Sequence, residues 1–269
     1  MMFQRILCAS LCAMQLFLFG CAPSASKQPG QPASPSPSPA TAVEEQAEAF
    51  LMAEIVENDG GALLLAGTEP SGAGDLYSLN AKTLSCKDES GEPLDGAALL
   101  PGMVVKIGYS GEIAESYPAQ PMGAVTLKVL ERRSDRVGFY VQVLDDFYQD
   151  DPALNDDISR VAFDLTKAGN LSEAEKSAVM LLFAEQYSLE PLSGTFETLC
   201  DEGYIDEEEL YFPDGVLFKL QTDAAPEDES FTFSVSKWRS GLGAVGSDNC
   251  AATYSGGQWS YERGAFWIS

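Results

Sequence analysis

Short apolar runs separated by turn signatures fill residues 44–135 and limit what this part of the chain can form. The runs have the length of strands and are too short for typical helices. The turn sequence Asn58-Asp59-Gly60-Gly61 between the first two runs is typical of a tight hairpin. We therefore predict a small closed or partly open barrel of antiparallel strands. The five predicted strands are residues 50–56, 62–66, 76–79, 103–109 and 124–130.

Residues 136–269 begin with a mixture of strand and helix patterns. Apolar residues alternate over residues 137–143, which favours a strand. Asn155 is placed as the N-cap of a following helix, which would end at Gly169. Ser172 and Glu175 have the spacing of a capping box. The helix they open is apolar nearly all round at its centre, so we expect it to be buried between layers. The predicted helices are residues 156–167, 173–187 and 196–202.

Beyond Gly215 the apolar period changes from that of a helix to that of a strand. The alternation is clearest where Phe231, Phe233 and Val235 alternate with Thr and Ser. Helices followed by paired strands predict an α+β domain over residues 136–269, with helices packed on an antiparallel sheet. The predicted strands are residues 216–221, 231–235, 252–254 and 258–261.

Two parts of the chain resemble domains of exported bacterial proteins. The hairpin is followed by LPGMVVKI at residues 100–107 and GEIAESYPA at 111–119. This order resembles small OB-like domains of Firmicute lipoproteins and secreted proteins. It implies an OB-like five-stranded barrel over residues 44–135. Residues 231–244, with Trp259 and Trp267, resemble a domain of Clostridia-type exported proteins, which implies a Gram-positive source.

An apolar run that ends in a cysteine opens the chain. Residues 6–19 have the length of a signal-peptide core and are too short to span a membrane. The sequence Leu18-Phe19-Gly20-Cys21 then resembles the lipobox of bacterial lipoproteins. The resemblance implies that residues 1–20 are a signal peptide and that Cys21 carries lipid, including palmitate. We therefore expect an extracytoplasmic protein held at the outer face of the cytoplasmic membrane. Its Pro/Ser-rich residues 21–43 would be the tether.

Composition narrows the partners and the chemistry. The formal net charge is −25, from 41 acidic and 16 basic residues. Such a surface repels phosphate backbones, so we expect no nucleic-acid partner. The sequence contains no histidine, which removes Ser-His and Cys-His nucleophiles and histidine-ligated zinc. We therefore predict no catalytic residue, no cofactor and no metal site.

Three cysteines follow the predicted leader and tether. They are Cys86, Cys200 and Cys250, and no C-x-x-C spacing is present among them. A bridge between Cys200 and Cys250 is one possibility, because both fall in the second predicted domain. The other is that all three are free thiols buried as small apolar side chains.

Acidic residues suggest two places where a cation or a proton could be handled. Glu112 and Glu115, with Tyr117, follow a predicted strand and would form an acid/base pair or a cation site. An ordinary surface turn explains them as well. A second group crowds a loop and would offer several oxygens to calcium, although it lacks the EF-hand pattern. Its members are Asp145, Asp146, Asp150, Asp151, Asn155, Asp156 and Asp157.

The most unusual cluster in this acidic chain is basic and aromatic. Lys237, Trp238 and Arg239 are consecutive, and two glycines follow them. They would grip an anionic or carbohydrate ligand by charge and stacking. The alternative is a strand end whose tryptophan is core and whose basic residues pair with neighbouring acids.

The combined expectation is a membrane-anchored extracytoplasmic lipoprotein that acts as a non-catalytic binding or accessory module of the cell envelope. Its partners would be the membrane, through Cys21, and an envelope protein or a wall polymer. Two alternatives stay open, a carboxylate-dependent envelope enzyme and a calcium-responsive module.

Overall fold

The first half of the described chain forms a six-stranded sheet in the order β3-β2-β1-β5-β8-β4, with β6 and β7 paired as a separate hairpin. A computed structural model describes residues 47–269, so the predicted leader, Cys21 and tether lie outside the described residues. Within residues 47–269, no helix is long and apolar enough to cross a membrane. The strands are β1 Ala49–Asp59, β2 Ala62–Thr68, β3 Ser71–Asn80, β4 Ser85–Lys87, β5 Met103–Tyr109, β6 Ile113–Ala114, β7 Gln120–Pro121 and β8 Thr126–Arg132.

All five strands predicted in this half are present, as β1, β2, β3, β5 and β8. The hairpin turn is also confirmed: the Asn58 side chain accepts a hydrogen bond from the Gly61 amide at 2.6 Å, and Gly60 and Gly61 have φ values of +54° and +100°. The sheet is open, because its edge strands β3 and β4 are not paired with each other. A closed barrel is therefore not formed by the described residues.

The two faces of this sheet have different surroundings. The apolar side chains on one face of the sheet pack against one another and form a small core. This core contains Leu51, Ile55, Val105, Ile107 and Leu127. The opposite face is covered only in part. Its apolar residues on β1, β2 and β3 join the core of the second half of the chain. These residues are Val56, Leu64, Ala66 and Leu76.

The second half is built on a seven-stranded sheet in the order β10-β9-β11-β12-β13-β14, with β15 also paired to β13. The helices are α1 Arg136–Gln149, α2 Glu173–Tyr187 and α3 Phe196–Asp201. The strands are β9 Arg160–Ala168, β10 Glu190–Ser193, β11 Gly215–Thr222, β12 Ser230–Ser240, β13 Gly243–Ser255, β14 Gln258–Glu262 and β15 Ala265–Ile268. The fold is thus a β-rich α+β fold, as the sequence predicts.

The strand predicted over residues 137–143 is wrong, because this segment is the first turns of α1. Asp135 is its N-cap and accepts a hydrogen bond from the Gly138 amide at 2.8 Å. The apolar pattern continues through Leu144 and Phe147, which are fully buried with Tyr140. That longer pattern has the helical period, whereas the short window also fits a period of two.

The helix predicted over residues 156–167 is also wrong. Residues 152–155 form a short 3-10 turn, and β9 follows as an interior strand. Residues Val161, Phe163 and Leu165 of β9 are buried, and so are the intervening Ala162 and Asp164. A strand that is buried on both faces reads as a continuous apolar run, which periodicity cannot separate from a helix.

The predicted helix 173–187 is confirmed as α2, together with its capping box. The Ser172 amide donates to Glu175 Oε2 at 2.7 Å, and the Glu175 amide donates to Ser172 Oγ at 3.3 Å. The helix packs on β2 and β3 of the first sheet and on β9 and β10 of the second. It therefore lies between the two sheets, as its apolar centre predicts.

The remaining predictions for this half hold in part. The short helix is α3, and the strands at 216–221, 231–235, 252–254 and 258–261 lie within β11, β12, β13 and β14. The sheet is mixed, however, and not purely antiparallel. Strand β9 pairs in parallel with both β10 and β11, and antiparallel pairing begins between β11 and β12. The parallel pairs arise because α2 carries the chain from β9 back to β10 in the same direction.

Candidate functional site

Three lysines lie side by side on the part of the first sheet that the helices leave uncovered. Lys106 on β5 is the register partner of Lys128 on β8, and Lys128 is the partner of Lys87 on β4. Neighbouring strands are about 4.8 Å apart, so the row is about 10 Å long. Helix α2 packs over β2 and β3, and no helix of the described chain packs comparably on β4, β5 or β8.

The lysines surround a shallow concave surface with apolar side chains at its rim. Lys106 Nζ lies 3.7 Å from the centroid of the Phe50 ring. Phe50 is 43% exposed and Leu130 is 40% exposed. The concavity has a volume of about 280 Å³. We call this set the lysine surface, and it consists of Phe50, Ser85, Lys87, Lys106, Thr126, Lys128 and Leu130.

In the part of the chain that the structure describes, the lysine surface has no internal counter-charge. Among the residues that the structure describes, no carboxylate oxygen lies within 4.0 Å of the ammonium groups of Lys87, Lys106 or Lys128. This is notable in a chain with 41 acidic and 16 basic residues. Like charges directly opposite each other on paired strands are destabilising. The row therefore favours an anion that would lie across it.

Sequence reasoning missed the lysine surface, although one signal for it was present. The predicted strand 124–130 places Val125, Leu127 and Val129 on one face, which leaves Lys128 on the other. The strand neighbours and their register decide whether Lys128 meets Lys106, and neither is readable from one strand. The pairing of β8 with the short strand β4 supplies the third lysine.

A buried carboxyl group lies on the same sheet face, where the helices begin to cover it. Glu54 is 4% exposed, and its Oε2 atom is 3.7 Å from Arg133 Nη1. Burial, and then the nearby Glu175 carboxylate, raise the pKa of Glu54 to about 8, and Arg133 opposes this rise. Glu54 lines a polar cleft of about 570 Å³ together with Glu131, Arg136 and Glu175. It is therefore largely protonated at neutral pH.

The predicted ligand cluster at the end of β12 is engaged within the chain. Lys237 is fully buried, and its Nζ donates to the carbonyl oxygens of Tyr148 at 2.9 Å and Asp150 at 2.6 Å. Burial lowers the pKa of Lys237 to about 8, against the opposing effect of Asp151 and Asp150. The ammonium donors of Lys237 therefore hold the loop after α1.

The other two residues of that cluster are also engaged within the chain, and Arg239 is buried whereas Trp238 is half-buried. Arg239 Nη1 donates to the carbonyl oxygens of Leu154 at 3.0 Å and Asp156 at 2.6 Å. Trp238 packs edge-on against Phe196, with ring centroids 5.2 Å apart. The basic residues thus bind main-chain carbonyls, where the sequence alternative expected carboxylates.

The acidic loop proposed for calcium is held by side chains of the same chain. Asp150 Oδ2 accepts from Arg263 Nη1 at 2.6 Å, and Asp146 accepts from the Tyr261 hydroxyl at 2.7 Å. Asn155 Oδ1 accepts from the Lys237 ammonium at 3.0 Å. Across residues 47–269, no three His, Cys, Asp or Glu side chains are placed to hold a metal ion.

The predicted acid/base pair lies at the surface. Glu112 and Glu115 are exposed on the β6–β7 hairpin, and Tyr117 is 70% exposed. Among the described residues of this half, the buried acid is Glu54 and neither member of the pair.

Of the two possibilities for the cysteines, the bridge between Cys200 and Cys250 is not formed, because Cys86, Cys200 and Cys250 are all free. Cys86 and Cys250 are buried, as the other possibility expects, whereas Cys200 is half-buried. Cys250 is fully buried in the main core, whereas Cys200 packs at the edge of a separate cluster around Leu199 and Phe212.

Comparison of the chain with protein-family models, with curated proteins and with solved structures gives no match. The candidate site therefore rests on geometry and charge alone. The lysine surface can bind anions, because it is accessible and its ammonium groups have no ion-pair partner within residues 47–269. The Glu54 cleft can hold or exchange a proton.

Proposed function

We propose that this chain is an extracytoplasmic lipoprotein, anchored through Cys21, that acts as a non-catalytic binding module of the cell envelope. The observation that carries the binding role is the lysine surface. It is accessible, it lacks internal counter-charges among the described residues, and it has an aromatic and an aliphatic side chain at its rim. Apolar groups exposed beside polar residues are a feature of interaction sites, and here they adjoin three ammonium groups. An anionic wall polymer or the acidic face of an envelope protein would fit it.

The anchor and the domain type belong to the same proposal. The LFGC sequence at residues 18–21 supports lipid attachment. The five strands β1, β2, β3, β5 and β8, with a bulge in β1 between Ile55 and Glu57, support a likeness to open OB-type barrels. We do not extend that likeness to nucleic-acid binding, since the chain carries a net charge of −25.

One observation favours the enzyme alternative. Glu54 is a buried acid with a raised pKa beside a polar cleft, as general acids often are. Catalysis by Glu54 would require turnover that Glu54→Gln abolishes while leaving the fold intact. Retention of envelope binding in that variant, without any turnover by the parent chain, would favour the binding module.

Anchoring is tested by fractionating cells of a Gram-positive host that express the full-length chain. The parent protein should sediment with membranes, and Cys21→Ser should be released into the medium or keep its leader. Mass spectrometry of the mature N-terminus should find diacylglycerol on residue 21. An unmodified residue 21 would contradict the anchor.

Binding is tested separately, with full-length protein in a non-ionic detergent and isolated wall sacculi. The parent protein should co-sediment with the sacculi, and Lys128→Glu should remain in the supernatant. Lys82→Glu is the matched control, because Lys82 is an exposed lysine elsewhere on the first half of the chain. Equal sedimentation of both variants would contradict the role of the lysine surface.

A further inference from the structure

The spacing of the lysine surface defines the number of charges that a ligand must carry. Lys87, Lys106 and Lys128 occupy three successive strands in register. The row is about 10 Å long at the backbone and carries three positive charges. Because a single phosphate group carries at most about two negative charges, full compensation requires a ligand with at least two anionic groups.

The kind of cation determines how directional the contact with an anion is. An ammonium is a compact point charge with three rotatable donors, whereas the planar fork of arginine pairs with carboxylate and phosphate alike through two parallel hydrogen bonds. The cationic residues of the lysine surface are all lysines. Lysine binds phosphate as a point charge from many directions. Such contacts allow successive phosphate groups of a chain to bind along the row without a fixed orientation.

The rim of the concavity limits the size of the ligand segment that joins two anionic groups. The concavity of about 280 Å³ is at the lower end of small-molecule sites, so it accommodates one small unit of a chain at a time. Phe50 is already covered on one side by Lys106, and its remaining exposed surface can contact an aliphatic linker. The Thr126 hydroxyl lines the same concavity and adds a polar group.

We infer that the lysine surface binds a linear, phosphate-bearing polyanion, with successive phosphate groups on Lys106, Lys128 and Lys87. This inference rests on the proposed binding function and names its ligand class. Phosphate groups are also present in lipid headgroups and in nucleic acids, but the net charge of −25 opposes close approach to an extended anionic bilayer or to a long, continuously charged nucleic-acid backbone. A short flexible chain of a few phosphate groups can reach the row locally, since repulsion beyond about 8 Å is screened at physiological salt.

The test measures binding of inorganic tripolyphosphate by calorimetry to the full-length protein in a non-ionic detergent. Saturable binding is expected, and Lys128→Gln should weaken it by about tenfold, since a hydrogen bond to a charged group contributes about 1.5 kcal/mol or more. Lys128→Arg should retain most of the affinity, because the positive charge is kept. Lys82→Gln is the matched control and should bind like the parent.

Lack of saturable binding, or equal binding by Lys128→Gln and the parent, would overturn the inference. Vesicles of phosphatidylglycerol and phosphatidylcholine form the second arm. Capture by phosphatidylglycerol vesicles without tripolyphosphate binding would also overturn it, because the phosphate source would then be the bilayer. If sacculi still retain the parent but not Lys128→Glu, while tripolyphosphate fails, the binding function stands and only its ligand class is wrong.

Discussion

The ammonium group of Lys237 donates a hydrogen bond to Oδ1 of Asn155 at 3.0 Å, and so joins the C-terminal part of β12 to the loop after α1. The same ammonium donates to the carbonyl oxygens of Tyr148 and Asp150. An acidic loop that reads as a cation site in the sequence is thus filled by a cation from the chain itself.

Removing this ammonium should destabilise the fold. Lys237→Met keeps the length of the side chain but leaves buried carbonyl oxygens without a donor. We expect a loss of about 3 kcal/mol in the free energy of unfolding, measured by urea denaturation. Lys82→Met, at an exposed position, should change it by less than about 0.5 kcal/mol. Equal stability of the two variants would contradict the structural role of Lys237.

Glu54 should make stability depend on pH in a defined window. Its pKa is about 8 in the folded state and near 4.5 when exposed on unfolding. Between these values the folded state holds a proton that the unfolded state has released, so stability falls as pH rises. The fall due to Glu54 approaches about 1.4 kcal/mol per pH unit.

The variant Glu54→Gln removes that titrating group. We expect its stability, relative to the parent, to increase steadily from about pH 5 to about pH 8 and to level off above. Urea unfolding at several pH values measures this difference. The exposed Glu48→Gln is the control and should follow the parent at every pH. A constant difference between Glu54→Gln and the parent would show that Glu54 is already ionised in the folded state.

The capping box of α2 gives a local test of helix stability. Ser172→Ala removes the hydroxyl that accepts from the Glu175 amide, and we expect a loss of about 1 kcal/mol. Ser177→Ala is the matched control in the same helix. Its hydroxyl donates to the Glu173 carbonyl of the preceding turn and does not cap the helix, so alanine should be neutral or slightly favourable there. Thermal unfolding of both variants compares the two effects, and a larger loss in Ser177→Ala would contradict them.

The part of the fold that could be predicted is the part fixed by local signals. Asn58 and the glycines after it define the hairpin, and Ser172 with Glu175 defines the start of α2. The failures share another cause. Strand β9 is buried on both faces by distant elements, so the apolar run around Phe163 has no period that separates strand from helix.

The candidate site was harder to predict for the same reason. Lys128 is a candidate site residue only because Lys106 and Lys87 lie beside it on neighbouring strands. This placement depends on the register of three strands that are far apart in sequence. Glu54 reads as an ordinary outward residue of a hairpin strand until the helical layer covers it. Lys237 and Arg239 were noticed as unusual, but whether their donors face a ligand or a main-chain loop depends on tertiary packing.

The free state of the cysteines can be checked by alkylation under native and denaturing conditions. Cys200 is partly exposed and should react in the native protein. Cys86 and Cys250 are buried and should react only after unfolding. Burial also raises the pKa of the Cys86 thiol, which slows its reaction further. Peptide mapping without reductant should find all three alkylated after unfolding, and a protected Cys200–Cys250 pair would contradict this.

Because α2 lies between the two sheets, we expect the two halves of the described chain to unfold together. Val56, Leu64 and Leu76 from the first sheet share one core with Val179 and Phe183 of that helix. Cleavage near residue 135 and separation of the two fragments would expose apolar surface of both fragments to water. Calorimetry should therefore record one melting peak for the described part of the chain, and the lysine-bearing strands should lose their shape together with the distant C-terminal hairpin.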